Sequence, residues 1–179
     1  MGGARPTLFQ VDLFFPFTTP FGDRGQFQIR AASIPSVPLD TIRVPYMGRA
    51  MKLAGDRPEW PDWTVTIIND ENFPLRVALE SWSNRINAFI SNRMSADVWP
   101  TDYKGTARVT QFGKKGDTLR SYIVDGIFPV NVDAMQLDWD AQNQLQQYDC
   151  TFSMDFMYPD TAITTNADDF SPVLADDGN

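Results

Sequence analysis

Hydrophobic and polar positions alternate with a period of two along most of this chain. The cleanest run is LQQYDCTFSMDFMY, from Leu145 to Tyr158. Tyr148, Cys150, Phe152, Met154 and Phe156 fall on one face of it, and Gln147, Asp149, Thr151, Ser153 and Asp155 on the other. One dry face and one wet face is what a half-buried antiparallel strand requires. Cys150 lies on the dry face and reads as a small buried hydrophobe. TLFQVDLFF (Thr7 to Phe15) and the β-branched DWTVTIIN (Asp62 to Asn69) read as further strands. In QFQIRAASIP, Phe27, Ile29 and Ala31 alternate with Gln28, Arg30 and Ala32. The segment from Thr106 to Asp133 reads as a hairpin turning at GKKG. Thr41 to Gly55 reads as another, turning near Tyr46 to Arg49. Pro45 gives that second hairpin an edge or protruding position, since proline cannot donate to a ladder.

The period changes once. From about Phe73 to Asn92, Leu75, Leu79, Trp82, Ile86, Phe89 and Ile90 recur at helical spacing. Asp70, Glu71 and Asn72 supply acids and a capping side chain at its start, and Pro74 suits a first turn. Asn92 to Gly105 reads as a loop, and PFTTPFGDRG (Pro16 to Gly25) as a turn-rich connection. Together these elements predict a mainly β fold: an antiparallel β-sandwich or barrel with one inserted α-helix at about residues 73–92.

Composition narrows the function classes. The chain has 179 residues, enough for one well-filled core. It has no histidine and one cysteine, which removes histidine-based nucleophile pairs, histidine-ligated zinc and any intrachain disulfide. No apolar run has the length of a membrane helix, and no secretory signal opens the chain, so no membrane anchor is expected and synthesis in the cytoplasm is. The formal net charge is −8. Residues 159–179 hold Asp160, Asp168, Asp169, Asp176 and Asp177 without a base, so they contribute −5 and the rest of the chain −3. Neither part carries the clustered basic side chains of a nucleic-acid binder. Residues 159–179 are expected to be a flexible extension outside the fold. GKKG lacks the strand–loop–helix setting of a phosphate-binding loop. Asp138, Asp140 and Asn143 lack the central glycine and terminal glutamate of a calcium loop. No metal, cofactor or catalytic residue is expected. A β-sandwich whose exposed tryptophans stack on sugars, with two acids for cleavage, remains as an alternative of another class.

Four stretches resemble the tail tube protein of contractile-tailed phages. They are RPTLFQVDL near the start, AGDRPEWPDWTVTIINDE (Ala54 to Glu71), YKGTARVTQFGKKG (Tyr103 to Gly116) and MQLDWDAQNQLQQYDCTFSMDF (Met135 to Phe156). The resemblance covers about residues 5 to 157 and makes residues 1–158 a tail tube domain. The acidic extension and the enlarged PFTTPFGDRG loop depart from the family pattern. The resemblance implies a non-enzymatic virion protein whose hexameric rings stack into the hollow inner tube of a phage tail, the conduit for DNA ejection. Its implied partners are further copies of itself, the tail sheath protein, baseplate and tail terminator proteins, a tape measure protein in the lumen, and DNA in transit. The tube of a related contractile injection system, and a tube-fold terminator or adaptor, are neighbouring readings. The resemblance also implies that the region around VPYMGRAMKLAGDRPEWPDW reaches toward an adjacent ring, which makes Tyr46, Met47, Arg49, Asp56, Arg57, Trp60 and Trp63 candidate contacts between rings. A DNA conduit needs a wall without bases that would hold phosphates. The wet face of the last strand, Gln147, Asp149, Thr151, Ser153 and Asp155, is the candidate lumen lining.

Overall fold

The structure is a computed structural model that describes residues 6–17, 24–26, 29–94, 99–135, 137 and 145–160. Its strands are β1 (Phe9–Phe14), β2 (Arg24–Gln26), β3 (Ile29–Ala32), β4 (Thr41–Tyr46), β5 (Arg49–Ala54), β6 (Trp63–Ile68), β7 (Gly105–Phe112), β8 (Thr118–Val132), β9 (Gln147–Ser153) and β10 (Phe156–Pro159). Its helices are α1 (Pro74–Ile86) and the single turn α2 (Pro100–Tyr103). The main sheet runs β2-β1-β7-β8-β9-β6-β3, with β10 also paired to β8, and β4 and β5 form a separate two-stranded ribbon. Every pairing is antiparallel. The fold is thus mainly β with one substantial helix, as the alternation predicts.

The dry faces of the strands meet α1. Val11 and Leu13 of β1, Trp63, Val65 and Ile67 of β6, Ala107 and Val109 of β7, and Tyr148, Cys150 and Phe152 of β9 join Leu75, Leu79 and Trp82 of the helix in one core. The thiol of Cys150 is pushed up to about 12, first by burial and then by the nearby charge of Asp133. It is therefore an inert apolar filler.

The helix is shorter than its sequence pattern. It ends at Ile86, and Asn87 turns to extended backbone at φ −144°. The Asn84 side chain accepts a hydrogen bond from the Phe89 amide at 3.0 Å, and Asn87 donates to Asn92 at 2.9 Å. Such local side-chain bonds compete with helix continuation. Phe89 and Ile90 are consequently exposed and leave the apolar face assigned to them. The start differs as well: Phe73, at φ 51°, is the N-cap and no side chain caps the helix. Asp70 instead bonds the Glu71 amide at 2.8 Å. Pro74 sits in the first turn as expected.

The last strand also departs from simple alternation. Its dry positions run through Met154, but the next buried residue is Met157, and Phe156 is exposed. The strand breaks at Met154 and Asp155, between β9 and β10. The facing strand β8 runs on without a break. Phe128 pairs with Ser153, and Asp125 pairs with Phe156, so register is kept across the break. Gly126 lies between them at φ +68°. On its other side β7 skips it, since Gly105 pairs with Ile127 and Thr106 with Asp125, so Gly126 is the extra residue of a bulge beside the break. Lys104 holds the corner with hydrogen bonds to both Asp155 carboxylate oxygens, at 2.6 and 2.8 Å. A Cβ on Gly126 would fall on that carboxylate. Gly126→Ala is therefore expected to lower stability by about 1–2 kcal/mol through its positive φ alone. Displacing Asp155 adds to that loss. Denaturant midpoints would show it.

A second bulge lies in β3. Ile29 pairs with Ile67 and Ala31 with Thr66, so the register shifts around Arg30. Ala32, rather than Ala31, packs beside Ile29 against the core. The chain leaves the sheet after Pro159. The Asp160 amide donates to the Ser121 carbonyl at 2.9 Å, and its carboxylate pairs with Arg108 at 3.2 Å. Residues 161–179, and the acids Asp138 and Asp140, lie outside the described residues.

Candidate assembly surfaces

The β4–β5 ribbon is built by alternation on both strands and by a tight turn. Met47 and Gly48 occupy the turn at φ 46° and 75°, the left-handed pair that matches strand twist in a two-residue hairpin. Val44 faces Met51, Ile42 faces Leu53 and Tyr46 faces Arg49 across the ladder. These six residues share one face, because opposed residues of an antiparallel pair point the same way. Arg43 and Lys52 face each other on the opposite side. All twelve strand residues are exposed. The ladder runs on past the strand ends and closes the base of the ribbon: Asp40 donates to the Asp56 carbonyl at 3.1 Å, and Gly55 donates to the Asp40 carbonyl at 2.8 Å. The hairpin is thus an amphipathic arm that nothing among the described residues covers.

The other candidates of this region separate. Tyr46, Met47 and Arg49 sit at the tip, and Asp56 and Arg57 are exposed beyond the root. Trp60 is half-buried against the core, with the Arg57 guanidinium 5.7 Å over its ring. Trp63 does not belong with them. It is 1% exposed, and its indole N–H donates to the Ser33 carbonyl at 2.8 Å. As the first residue of β6 it shares the inward face of Val65 and Ile67, so it fills the core. Ile42, Val44, Met51 and Leu53 were absent from the candidate set. Their signal was present in the apolar–basic alternation of IRV and MKL.

The wet face of β9 is real for four of its five proposed residues. The hydroxyls of Thr151 and Thr64 lie 3.1 Å apart, Asp149 stands opposite Thr66, and Gln147 accepts a 2.6 Å hydrogen bond from Arg30. Ser153 ends the strand. Asp155 leaves the group because it lies in the corner and is engaged by Lys104. Arg30 adds one base at the margin of a face that β9 alone leaves without any.

Trp82 and Trp63 are core residues and Trp60 is half-buried, so among the described tryptophans only Trp99, at 73%, is openly exposed. The described tryptophans thus form no row of stacking rings of the kind the sugar-binding alternative would use. The described residues also contain no cluster of three or more groups fit to hold a metal ion.

Comparison with known proteins accords with this arrangement. A family model described as phage tail tube protein matches residues 4–158. Tail tube protein gp19 of Enterobacteria phage T4 is 35% identical over 154 residues, covering 86% of this chain and 90% of that protein. The fold is shared with a chain in the sixfold-symmetrised cryo-EM structure of the anti-feeding prophage baseplate, at TM-score 0.66 and 13% identity over 89% of this chain and 96% of the other. It is shared too with a chain in the extended sheath–tube complex of an extracellular contractile injection system, at TM-score 0.61 and 17% identity over 88% and 91%. An uncovered amphipathic arm on a β body, together with a family match across nearly all of that body, places this chain in the phage tail tube protein family, whose members are structural proteins of the virion and not enzymes.

Proposed function

We propose that copies of this chain form hexameric rings that stack into the hollow inner tube of a contractile tail, through which DNA leaves the particle. The observation that carries the reading is the β4–β5 hairpin. A two-stranded ribbon is marginal alone in water, and this one leaves Ile42, Val44, Met51 and Leu53 exposed. Contact with a neighbouring ring supplies the missing cover. Tyr46, Met47 and Arg49 at the tip, with Asp56 and Arg57 at the root, extend that contact, and Trp60 buttresses it from within. Sixfold rings are supported by the sixfold symmetry of the baseplate structure that shares the fold. Joining subunits also closes strand edges that a lone sheet leaves open.

In this reading the sheath protein surrounds the tube, baseplate and terminator proteins hold its ends, and a tape measure protein and then DNA occupy the lumen. The face of Gln147, Asp149, Thr151 and Ser153, with Thr64 beside it, lines the channel. Its short polar side chains offer phosphates little to hold, and Asp149 repels them. Arg30, tied to Gln147, lies at the margin.

Electron microscopy of the purified protein tests both parts. Tubes of stacked six-membered rings are expected, with Asp149 and Thr151 directed at the axis in a reconstruction. A persistent monomer at high concentration, even with a tail initiator, would overturn the tube. An outward-facing Asp149 would overturn only the lining.

A further inference from the structure

We propose that the acidic C-terminal extension docks in cis on the β4–β5 hairpin of its own subunit before assembly. Residues 41–54 hold Arg43, Arg49 and Lys52 and no acid, a charge of +3 on a chain whose formal total is −8. Taking that +3 away leaves −11 on the rest, and four of those negative charges lie in residues 161–179, which have no base. The hairpin is therefore a basic, amphipathic arm on an acidic molecule.

The extension is patterned to match it. Asp168 and Asp169 precede the stretch Phe170–Leu174, and Asp176 and Asp177 follow it. Phe170, Val173 and Leu174 suit the apolar face of Ile42, Val44, Met51 and Leu53. The acidic pairs on either side then meet the bases around that face. Arg49 already lies on it, and the long stems of Arg43 and Lys52 bring their charges round from behind. Neither half of the match is satisfied within the described residues, since every residue of the ribbon is exposed.

Reach is not limiting. The extension is anchored where the Asp160 amide and carboxylate bond Ser121 and Arg108. Phe170 follows ten residues later, enough to span up to roughly 33–36 Å when extended. A domain of this size has a radius of gyration of roughly 15 Å, so the extended stretch spans about the width of its own subunit. Effective concentration favours such an intramolecular contact over the same segments meeting between molecules. The contact itself does not depend on the tube reading. Its consequence does: a covered arm is unavailable to the next ring until a neighbour displaces the extension.

Hydrogen–deuterium exchange on the full chain, at concentrations where light scattering reports a monomer, tests the contact. The variant D168N/D169N/D176N/D177N keeps the length and removes the charge. Exchange of the amides of residues 41–54 is expected to be about tenfold faster in the variant than in the wild type. The difference should disappear near 1 M salt, where screening shortens to about 3 Å. Phe170→Ser, with all acids kept, is expected to give a several-fold increase that salt does not remove. Equal hairpin exchange in all three proteins overturns the proposal. So does protection that moves to another part of the sheet, or protection that rises with protein concentration, which would place the extension on a second copy. Failure of the wild type to form tubes at higher concentration would count against the tube and leave this measurement standing.

Discussion

Replacing Trp82 with alanine is expected to destabilise the subunit by about 3–5 kcal/mol, the range for deleting a large buried aromatic. Trp82 is 0% exposed and lies where α1 meets both the start and the end of the sheet. Its ring packs edge-on to Phe15 at 5.1 Å and lies 6.2 Å from Phe152. Its indole N–H donates to the Tyr103 carbonyl at 2.7 Å, so α2 and the entry to β7 are fastened to the helix through it. The sheet makes room for the ring at Gly105, where a Cβ would approach it to 2.8 Å. Truncation removes the packing, leaves a cavity and orphans the Tyr103 carbonyl. Against a total stability of about 5–15 kcal/mol, that loss places much of the population near unfolding at physiological temperature. Chemical denaturation gives the magnitude. Trp82→Phe keeps most of the volume and should cost less, in the range of about 1–3 kcal/mol for an unsatisfied buried acceptor. A midpoint for Trp82→Ala close to that of the wild type would remove the ring from its central place in the core.

The double substitution Val44→Asp with Leu53→Asp should do the reverse. Both side chains are exposed and neither packs against the core, so stability is expected to change by no more than about 0.5 kcal/mol, as for ordinary surface positions. Assembly is expected to fail. Each carboxylate would have to be buried without a partner at the ring contact, which costs several kcal/mol at every copy of the interface. Sedimentation of the folded variant should show no tubes at concentrations where the wild type forms them. The pair Arg43→Ala with Lys52→Ala, on the opposite face, should weaken assembly less and make it less sensitive to salt. Normal tubes from the double aspartate variant would show that the apolar face of the ribbon is not what a neighbour covers.

Much of this architecture is legible in the sequence because the side-chain period is local. The β9 alternation, the turn at GKKG, the arm from Thr41 to Gly55 and the existence of one helix each follow from a single run of twenty consecutive residues or fewer. What is not legible depends on more than one segment. The phase change at Met154 and Asp155 is matched by Gly126 on a strand about thirty residues earlier, and neither run announces it alone. Trp60 and Trp63 look equivalent in EWPDW, yet one begins a strand on its inward face and the other precedes it, so they differ in burial. The helix end is hidden in the sequence because Phe89 and Ile90 continue the apolar period while Asn84 and Asn87 divert the backbone. For the candidate contacts, the aromatic and charged residues drew attention. The plainer aliphatics of the same arm form its apolar face.

The separation of the arm from the core divides two kinds of selection. A substitution in the core is first tested by whether the subunit survives. A substitution on the ribbon escapes that test, because its strand residues are exposed and none belongs to the core. Its surface is therefore free to drift together with the patch that receives it, at little risk to the body. On the tube reading, divergence of this kind would keep the subunits of two related tails from mixing. Chimaeras that exchange only residues 41–54 between relatives would then change which tube a subunit joins while leaving its own fold intact.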